Sequence, residues 1–339
     1  MTYHAALKKL FLGLGISLTS LVLATVILEF SLRFTNPGQL VIFRTVPRVG
    51  TGRAPNQKGV FYGNDFEGEW VAMTINAKGL RGDEIPDVKA HDELRVLALG
   101  DSFVFGGGLA DENTFPAICQ RTCGYPATRV RFINAGGNGY DTREAASFLE
   151  LNGVLLQPDV VVLGWNWNDL VSILGPVSNF PMAPEWIRRF AIYKFWQYHK
   201  SPREWKKTSD EDFQKYHNDV IYASSGSDSP QRWEAAQAAL MRLIRACKKM
   251  RAKFFVLVMP ELTWMESPKF PGLDKLTSFL NSLGIPWTDC QPQFYEAFQK
   301  SLHVTQTLDS FHPSAEGQAL MARILLQALW ERNWIPRKP

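Results

Sequence analysis

The chain has 339 residues, of which 45% are hydrophobic and 21% charged, and its formal net charge is +4. This composition is that of an ordinary globular protein and excludes an intrinsically disordered chain. The charge is small for this length and forms no dense basic stripe, so a nucleic acid is not an expected partner.

The first predicted element is an apolar helix that crosses a membrane. The run from Leu10 to Leu28 carries no charge and, at ~1.5 Å per residue, is long enough to cross a hydrocarbon layer of ~30 Å. We expect residues 1–34 to form a tail and a transmembrane anchor. A cleaved signal peptide is the alternative, because Lys8 and Lys9 form a basic n-region. Against it, the run exceeds the usual apolar region of a signal peptide, and no A-x-A-like site follows.

Charge does not fix the orientation of this helix. Lys8 and Lys9 on the short N-terminal side are balanced by Arg33, Arg44 and Arg48 downstream.

Residues 35–92 are rich in Gly, Pro, Asn and charge and contain short strand-like pieces such as Glu69 to Ile75. This pattern predicts an irregular linker or collar without a core of its own.

From residue 93 to residue 335 the pattern predicts one α/β domain. Short apolar runs alternate with helix-like segments, which is typical of a parallel sheet buried on both faces. We therefore expect a three-layer α/β/α sandwich with a mostly parallel sheet. The predicted strands are Leu94 to Leu99, Val130 to Ile133, Val160 to Leu163, Phe254 to Met259 and Ile285 to Trp287. The predicted helices are Thr114 to Gln120, Thr142 to Leu151, Gln231 to Met250, Leu273 to Leu283 and Ala315 to Glu331.

An aromatic and basic insertion at about residues 171–230 interrupts this alternation after the third strand. Three interpretations are open: a lid over a ligand site, an amphipathic helix on the membrane surface, or an ordinary helix packed on the domain.

The cysteines and glycines give no sign of a cofactor. Four cysteines are too few for a disulfide framework, and no Cys/His spacing resembles a zinc site. The turn at Gly106 to Gly108 lacks the Lys-Ser/Thr ending of a phosphate loop. We expect unpaired thiols and no metal, nucleotide or other cofactor.

A candidate nucleophile follows the first predicted strand. The strand runs directly into Gly100-Asp101-Ser102-Phe103, where a tight turn at the carboxyl edge of a sheet would expose the hydroxyl of Ser102. A G-D-S tripeptide alone is weak support, because chance produces one in roughly one chain in ten of this size.

A candidate base precedes the last predicted helix, in Asp309-Ser310-Phe311-His312-Pro313. An Asp three residues before a His can reach Nδ1 of the ring within one loop, which leaves Nε2 free to take a proton from a serine. A His that merely caps the helix is the plainer interpretation of this motif alone.

Two further turns stand where oxyanion donors are needed. The second strand exits into Asn134-Ala135-Gly136-Gly137-Asn138-Gly139-Tyr140, whose glycines permit close approach of backbone N–H groups to a substrate oxygen. The third strand exits into Gly164-Trp165-Asn166-Trp167-Asn168-Asp169, which offers the amide of Asn168. Each turn alone is more often ordinary loop chemistry.

These four blocks together resemble the SGNH/GDSL hydrolase family over about residues 94 to 330. The resemblance implies Ser102 as nucleophile, His312 as base and Asp309 as the group that orients His312. It implies an oxyanion hole made by the backbone N–H groups of Ser102 and Gly139 with the side chain of Asn168. Gly136 or Gly137 is an alternative to Gly139, and Asn166 to Asn168.

The segment I-N-A-K-G-L-R-G at Ile75 to Gly82 resembles the lead-in of bacterial members with one N-terminal membrane helix. That resemblance implies an inner-membrane anchor and a catalytic domain in the periplasm or outside the cell.

The resemblance implies an esterase or deacetylase that acts on an acyl ester at the cell envelope through an acyl-serine. An O-acyltransferase that modifies an exported polysaccharide is the alternative, with an acylated glycan as partner. A non-catalytic subunit of an envelope polysaccharide-assembly complex is a second alternative, and a lipase is a third.

Overall fold

The computed structural model describes residues 3–35, 43–46, 50–62, 70–174, 184–188, 190–196, 230–262, 265, 267–270, 272–306 and 309–337. The N-terminal helix α1, Tyr3–Thr35, contains a stretch, Leu7–Phe34, that is long and apolar enough to cross a membrane. None of its most apolar window is buried against the rest of the chain. A membrane span and a signal sequence both meet this description.

Two antiparallel hairpins occupy the described part of the predicted collar. The first pairs β1, Phe43–Val46, with β2, Gly50–Arg53, and the second pairs β3, Gln57–Tyr62, with β4, Trp70–Ile75. Met73 and Ile75 are buried together with Phe105 of the main domain. The collar is thus more regular than the sequence suggests, and it packs on the domain because it has almost no core of its own.

A five-stranded parallel sheet forms the centre of the main domain. The strands are β5 (Leu94–Gly100), β6 (Val130–Gly136), β7 (Val160–Trp165), β8 (Lys253–Val258) and β9 (Trp287–Asp289). Their order is β6-β5-β7-β8-β9, with every neighbouring pair parallel. From β5 the chain continues to β6 on one side and then crosses to β7 on the other side. The gap between β5 and β7 is therefore a topological switch point, where open α/β sheets bind ligands.

Helices cover both faces of the sheet. The elements after β5 are α2 (Ser102–Phe105), α3 (Phe115–Thr122), α4 (Thr142–Leu156), α5 (Asn168–Ser172), α6 (Glu185–Arg188), α7 (Pro230–Met250), α8 (Leu273–Ser282), α9 (Gln291–Gln299) and α10 (Ala315–Glu331). One buried cluster joins α3, α9 and α10 to one face of the sheet, and a second joins α4, α7 and α8 to the other. Val96 and Ala98 point into the first cluster, whereas Leu97 and Leu99 point into the second. The three-layer α/β/α prediction is confirmed.

The predicted strands and helices are present, with shifts of a few residues at their ends. The sequence pattern does not predict helix α9. This helix is short, and Pro292 near its start interrupts the apolar pattern that would indicate it. The motif around His312 also differs: it forms a strand, β11 (Asp309–Pro313), paired with β10 (Thr305–Gln306), where the sequence suggested a loop. Most of the insertion at about 171–230 lies outside the described residues, as do parts of the collar, so the predicted domain limits remain predictions.

All four cysteines are unpaired and buried. Burial raises the pKa of the thiols, to about 11 for Cys123 and about 12 for Cys247.

The end of β6 lies against the backbone of α2. A Cβ atom added at Gly136 would lie 2.3 Å from the backbone N of Phe105, so the two segments pack without room for a side chain. We expect Gly136→Ala to lower the free energy of unfolding by about 1–3 kcal/mol, because α2 must move to make room. Urea denaturation measures this loss. Gly107→Ala is the control, since its Cβ would lie 3.9 Å from the nearest atom; equal losses in the two variants would contradict the packing argument.

Candidate active site

Ser102 is the first residue of α2, directly after β5. Asp101 caps this helix, and its Oδ1 accepts a hydrogen bond of 2.9 Å from the N–H of Phe103. The turn is possible because Gly100 adopts φ +147° and lies against the backbone of β7, where an added Cβ would meet the carbonyl oxygen of Gly164 at 2.6 Å. The strand thus delivers the serine to the carboxyl edge of the sheet, where Ser102 is 9% exposed.

His312 lies beside the serine. Its Nε2 is 2.7 Å from Oγ of Ser102, although the two residues are 210 positions apart. The ring of His312 lies near the rings of Phe103 and Phe311, with centroid distances of 5.6 and 5.0 Å. These contacts restrict the rotation of the imidazole. The structure brings together the two residues that the sequence predicts as nucleophile and base.

Asp309 belongs to the same strand as His312, but its side chain lies outside the described residues. The orienting contact from Asp309 to His312 stays a prediction.

Distant side chains satisfy the carbonyl groups of α2 and the turn after it. Gln306 Nε2 donates to the carbonyl of Gly107 at 2.6 Å, and Gln318 Nε2 donates to that of Phe103 at 2.9 Å. Because Gln306 also donates to the carbonyl of Pro313, it connects the hairpin that carries His312 to the turn that carries Ser102.

Arg81 fixes the other side of this turn. Its Nη1 donates to the carbonyls of Phe105 and Gly106 at 2.8 and 2.6 Å, its Nη2 donates to that of Leu109, and its Nε pairs with Asp111 at 2.8 Å. Arg81 is 5% exposed, and burial lowers the pKa of its guanidinium while Asp111 raises it. Arg81 of the lead-in segment therefore stabilises the turn that follows Ser102.

No family model and no curated protein matches the sequence. Solved structures that match include a member of the lipolytic G-D-S-L family from Veillonella parvula DSM 2008, which is 14% identical. The match covers 69% of this chain and 97% of that one, with a TM-score of 0.44. A catalytic mutant of an acetylxylan esterase from Geobacillus stearothermophilus is 16% identical over 72% of this chain and 96% of its own, with a TM-score of 0.43. A two-domain esterase active on acetylated mannans is 14% identical over 73% of this chain and 52% of its own, with a TM-score of 0.46.

The turn after β6 contains three glycines, and two of their N–H groups have acceptors within the protein. The N–H of Gly136 donates to the side chain of Asn134 at 3.1 Å, and the N–H of Gly137 donates to the carbonyl of Gly100 at 2.9 Å. Both N–H groups therefore already have acceptors within the protein. The oxyanion role of Gly139, which adopts φ +72°, stays a prediction.

Asn168 begins α5 at the end of β7 and contacts the residue before Ser102. Its Nδ2 donates to Oδ2 of Asp101 at 2.9 Å. An amide NH₂ carries two donors, and the role of this one toward a substrate oxygen stays a prediction. Asn166 is 1% exposed, and its Oδ1 accepts from the N–H of Asn168 at 3.3 Å.

A hydrogen bond between buried side chains connects the segments that follow β6 and β7. Oγ1 of Thr142, three residues after Gly139, donates to Oδ2 of Asp169 at 2.6 Å, and the two residues are 0% and 2% exposed. Burial, together with the negative charges of Asp101, Asp141 and Glu144, raises the pKa of Asp169 well above its usual range. Asp169 thus holds its proton more tightly than an exposed aspartic acid does.

Sequence motifs do not identify the supporting residues Gln306, Gln318 and Thr142. Among the supporting residues, Arg81 alone lies in a motif recognised in the sequence, the lead-in segment. Within the described residues, no group of three or more His, Cys, Asp or Glu side chains is arranged to hold a metal ion.

The raised pKa of Asp169 predicts that this residue lowers the free energy of unfolding as the pH rises. A carboxyl whose pKa is higher in the folded than in the unfolded chain stabilises the fold at low pH, and this contribution is lost as the pH rises from ~3.9 toward the folded pKa. We expect Asp169→Asn to gain free energy of unfolding relative to the wild type as the pH rises from about 4 to about 8.

Urea denaturation of both proteins at several pH values measures this difference. Glu331→Gln, at an exposed position whose side chain accepts from Gln327, is the matched control and should show no such trend. A pH-independent difference between wild type and Asp169→Asn would show that this carboxyl titrates normally.

Proposed function

We propose that this protein is a serine ester hydrolase in which Ser102 attacks the acyl carbonyl and His312 takes its proton. The observation that carries this proposal is the 2.7 Å distance between Nε2 of His312 and Oγ of Ser102 at the switch point of the sheet. A hydroxyl in this position can lose its proton as it attacks, because a base already lies within hydrogen-bond reach.

The first half-reaction forms an acyl-enzyme. Oγ of Ser102 bonds to the ester carbonyl carbon while its proton moves to Nε2 of His312, and the carbonyl oxygen becomes an oxyanion. The N–H groups of Ser102 and Gly139 and the amide of Asn168 stabilise that charge. When the tetrahedral intermediate collapses, the alcohol leaves with the proton held by His312.

The second half-reaction repeats these steps with water. His312 takes a proton from water, the resulting oxygen attacks the acyl carbon, and the acid is released as Ser102 regains its proton. Burial raises the pKa of Asp101, and the hydrogen bond from Asn168 and the charge of His312 oppose that rise.

We also propose that α1 anchors the enzyme in the inner membrane, with the main domain outside the cytoplasm. The exposed apolar surface of Leu7–Phe34 supports the anchor, and the resemblance of Ile75 to Gly82 to the bacterial lead-in supports the orientation. An anchored domain reaches only molecules near the membrane, so we place its substrates among the esters of the cell envelope, acylated glycans included.

Ser102 should react with an activated phosphorus ester. We expect a fluorophosphonate probe to form one adduct on the wild-type protein, located at Ser102 by peptide mass spectrometry, and no adduct on Ser102→Ala. Ser147→Ala is the matched control, because that hydroxyl donates within helix α4 to the carbonyl of Arg143 and should leave labelling unchanged. An adduct that persists in Ser102→Ala would remove Ser102 from the mechanism.

Asn168 should affect the chemical step more than binding. We expect Asn168→Ala to lower kcat for a soluble acetyl ester by roughly 100-fold or more, because one oxyanion donor is lost, while KM changes little.

Asn166→Ala tests the alternative donor in the same assay and should cause the smaller loss. A larger loss of kcat in Asn166→Ala than in Asn168→Ala, with both variants folded by circular dichroism, would assign the donor to Asn166.

A further inference from the structure

The apolar helix α1 is bonded to a distant part of the chain. Oε1 and Oε2 of Glu29 accept hydrogen bonds of 2.9 and 3.0 Å from the backbone N–H groups of Ala191 and Ile192. Arg33 donates to the same carboxylate at 2.9 Å, and Glu29 is 8% exposed. Ala191 begins a helical stretch, so the carboxylate satisfies N–H groups that a helix start leaves without partners.

The position of Glu29 along α1 determines the depth of this contact relative to a membrane. Glu29 is the first charged residue after the uncharged run from Leu10 to Leu28, which spans about 28 Å, close to the thickness of a hydrocarbon layer. If α1 crosses a membrane, Glu29 lies at its boundary. Its bonds then hold Ala191 and Ile192 at the same level.

Large exposed aromatic side chains lie close in sequence to Ala191 and Ile192. We call residues 184–188 and 190–196 the aromatic segment. Its side chains of Trp186, Phe190, Phe195 and Trp196 are 66%, 42%, 37% and 52% exposed. An ordinary soluble surface rarely concentrates such groups in so short a stretch, whereas tryptophan favours the boundary between lipid headgroups and hydrocarbon.

Two cations accompany the aromatic groups. Burial lowers the pKa of Lys194, and the positive charge of the nearby Arg33 lowers it further. Basic side chains beside an apolar surface favour the region of the lipid phosphates.

We propose that the aromatic segment is a second membrane contact, seated in the headgroup region and fixed to α1 by Glu29. This inference rests on the membrane anchor of the proposed function, but not on the hydrolase chemistry. The segment follows β7 and α5 in the chain, so this contact would limit the distance between the bilayer surface and the sheet edge that carries Ser102. Substrates held in or on the membrane would thus meet the site without a long diffusive path.

The depth of a spin label tests this placement. The full chain carrying Ile187→Cys is labelled with a nitroxide, which the four buried native thiols do not compete for, and is reconstituted into vesicles of equimolar phosphatidylcholine and phosphatidylglycerol. We expect the label to be accessible to oxygen and shielded from a water-soluble nickel complex. Labels at Leu18→Cys in α1 and at Val88→Cys, which is 83% exposed on the collar, provide the lipid and water references.

The aromatic side chains should hold the label at that depth. Trp186→Ser combined with Trp196→Ser is expected to raise the nickel accessibility of the label at position 187. Phe298→Ser, which removes a ring that is 49% exposed elsewhere on the domain, should not. A label at 187 that is as accessible to nickel as that at 88, while the label at 18 stays shielded, would overturn the proposal.

A water-exposed label at position 18 would overturn the anchor and this inference together. Hydrolysis of a soluble ester, measured on the same samples, would still report on the function of Ser102 separately.

The contact of Glu29 has its own readout. We expect Glu29→Ala to accelerate hydrogen exchange of the amides of Ala191 and Ile192 by about tenfold or more, because both lose their acceptor. Glu29→Gln keeps one acceptor oxygen and should show an intermediate rate. Exchange in Glu29→Ala equal to that of the wild type would show that the carboxylate does not hold the segment.

Discussion

Distant side chains satisfy most carbonyl groups of the helix that carries Ser102, and the rest of the site follows from how the chain supplies these donors. The carbonyl of Ser102 accepts from the N–H groups of Gly106 and Gly107, which follow the four-residue helix α2. The other three carbonyls accept from Arg81 of the collar, Asn134 at the end of β6 and Gln318 of α10, and Gln306 of the hairpin bonds the turn after α2. Each of these bonds also fixes a segment that borders the site, so Ser102 and its surroundings are positioned together.

The sequence predicts those parts of the fold that depend on periodic burial. Apolar runs such as Val160 to Leu163 are buried on both faces, which makes a parallel strand recognisable without any knowledge of its neighbours. The turn after each strand is recognisable as well, because Gly100 and Gly139 require backbone conformations with positive φ. Ser102 could be predicted because it follows the first strand of a parallel sheet, which collects its carboxyl ends at one edge. His312 could be predicted because Asp309 precedes it by three residues and the last helix follows it.

The supporting contacts could not be predicted because they depend on tertiary neighbours rather than on local pattern. Gln306 and Gln318 are ordinary polar residues in the sequence, and their partners lie in segments that only the folded chain brings near them. The same holds for Asp169, whose carboxyl becomes unusual through burial beside other acids. The strand at His312 was expected to be a loop because its partner, β10, has only two residues and no periodic signal.

The buried cysteines separate the chemistry of this fold from the redox state of its surroundings. A thiol exchanges with disulfides through its thiolate, and burial keeps that form scarce at Cys119, Cys123, Cys247 and Cys290. An oxidising compartment therefore threatens the chain chiefly before it folds, when all four sulfurs are accessible and wrong pairs can form. Once the core has closed, reaction of these sulfurs with an added reagent records opening of the domain, so the protein carries its own internal reporter of local unfolding.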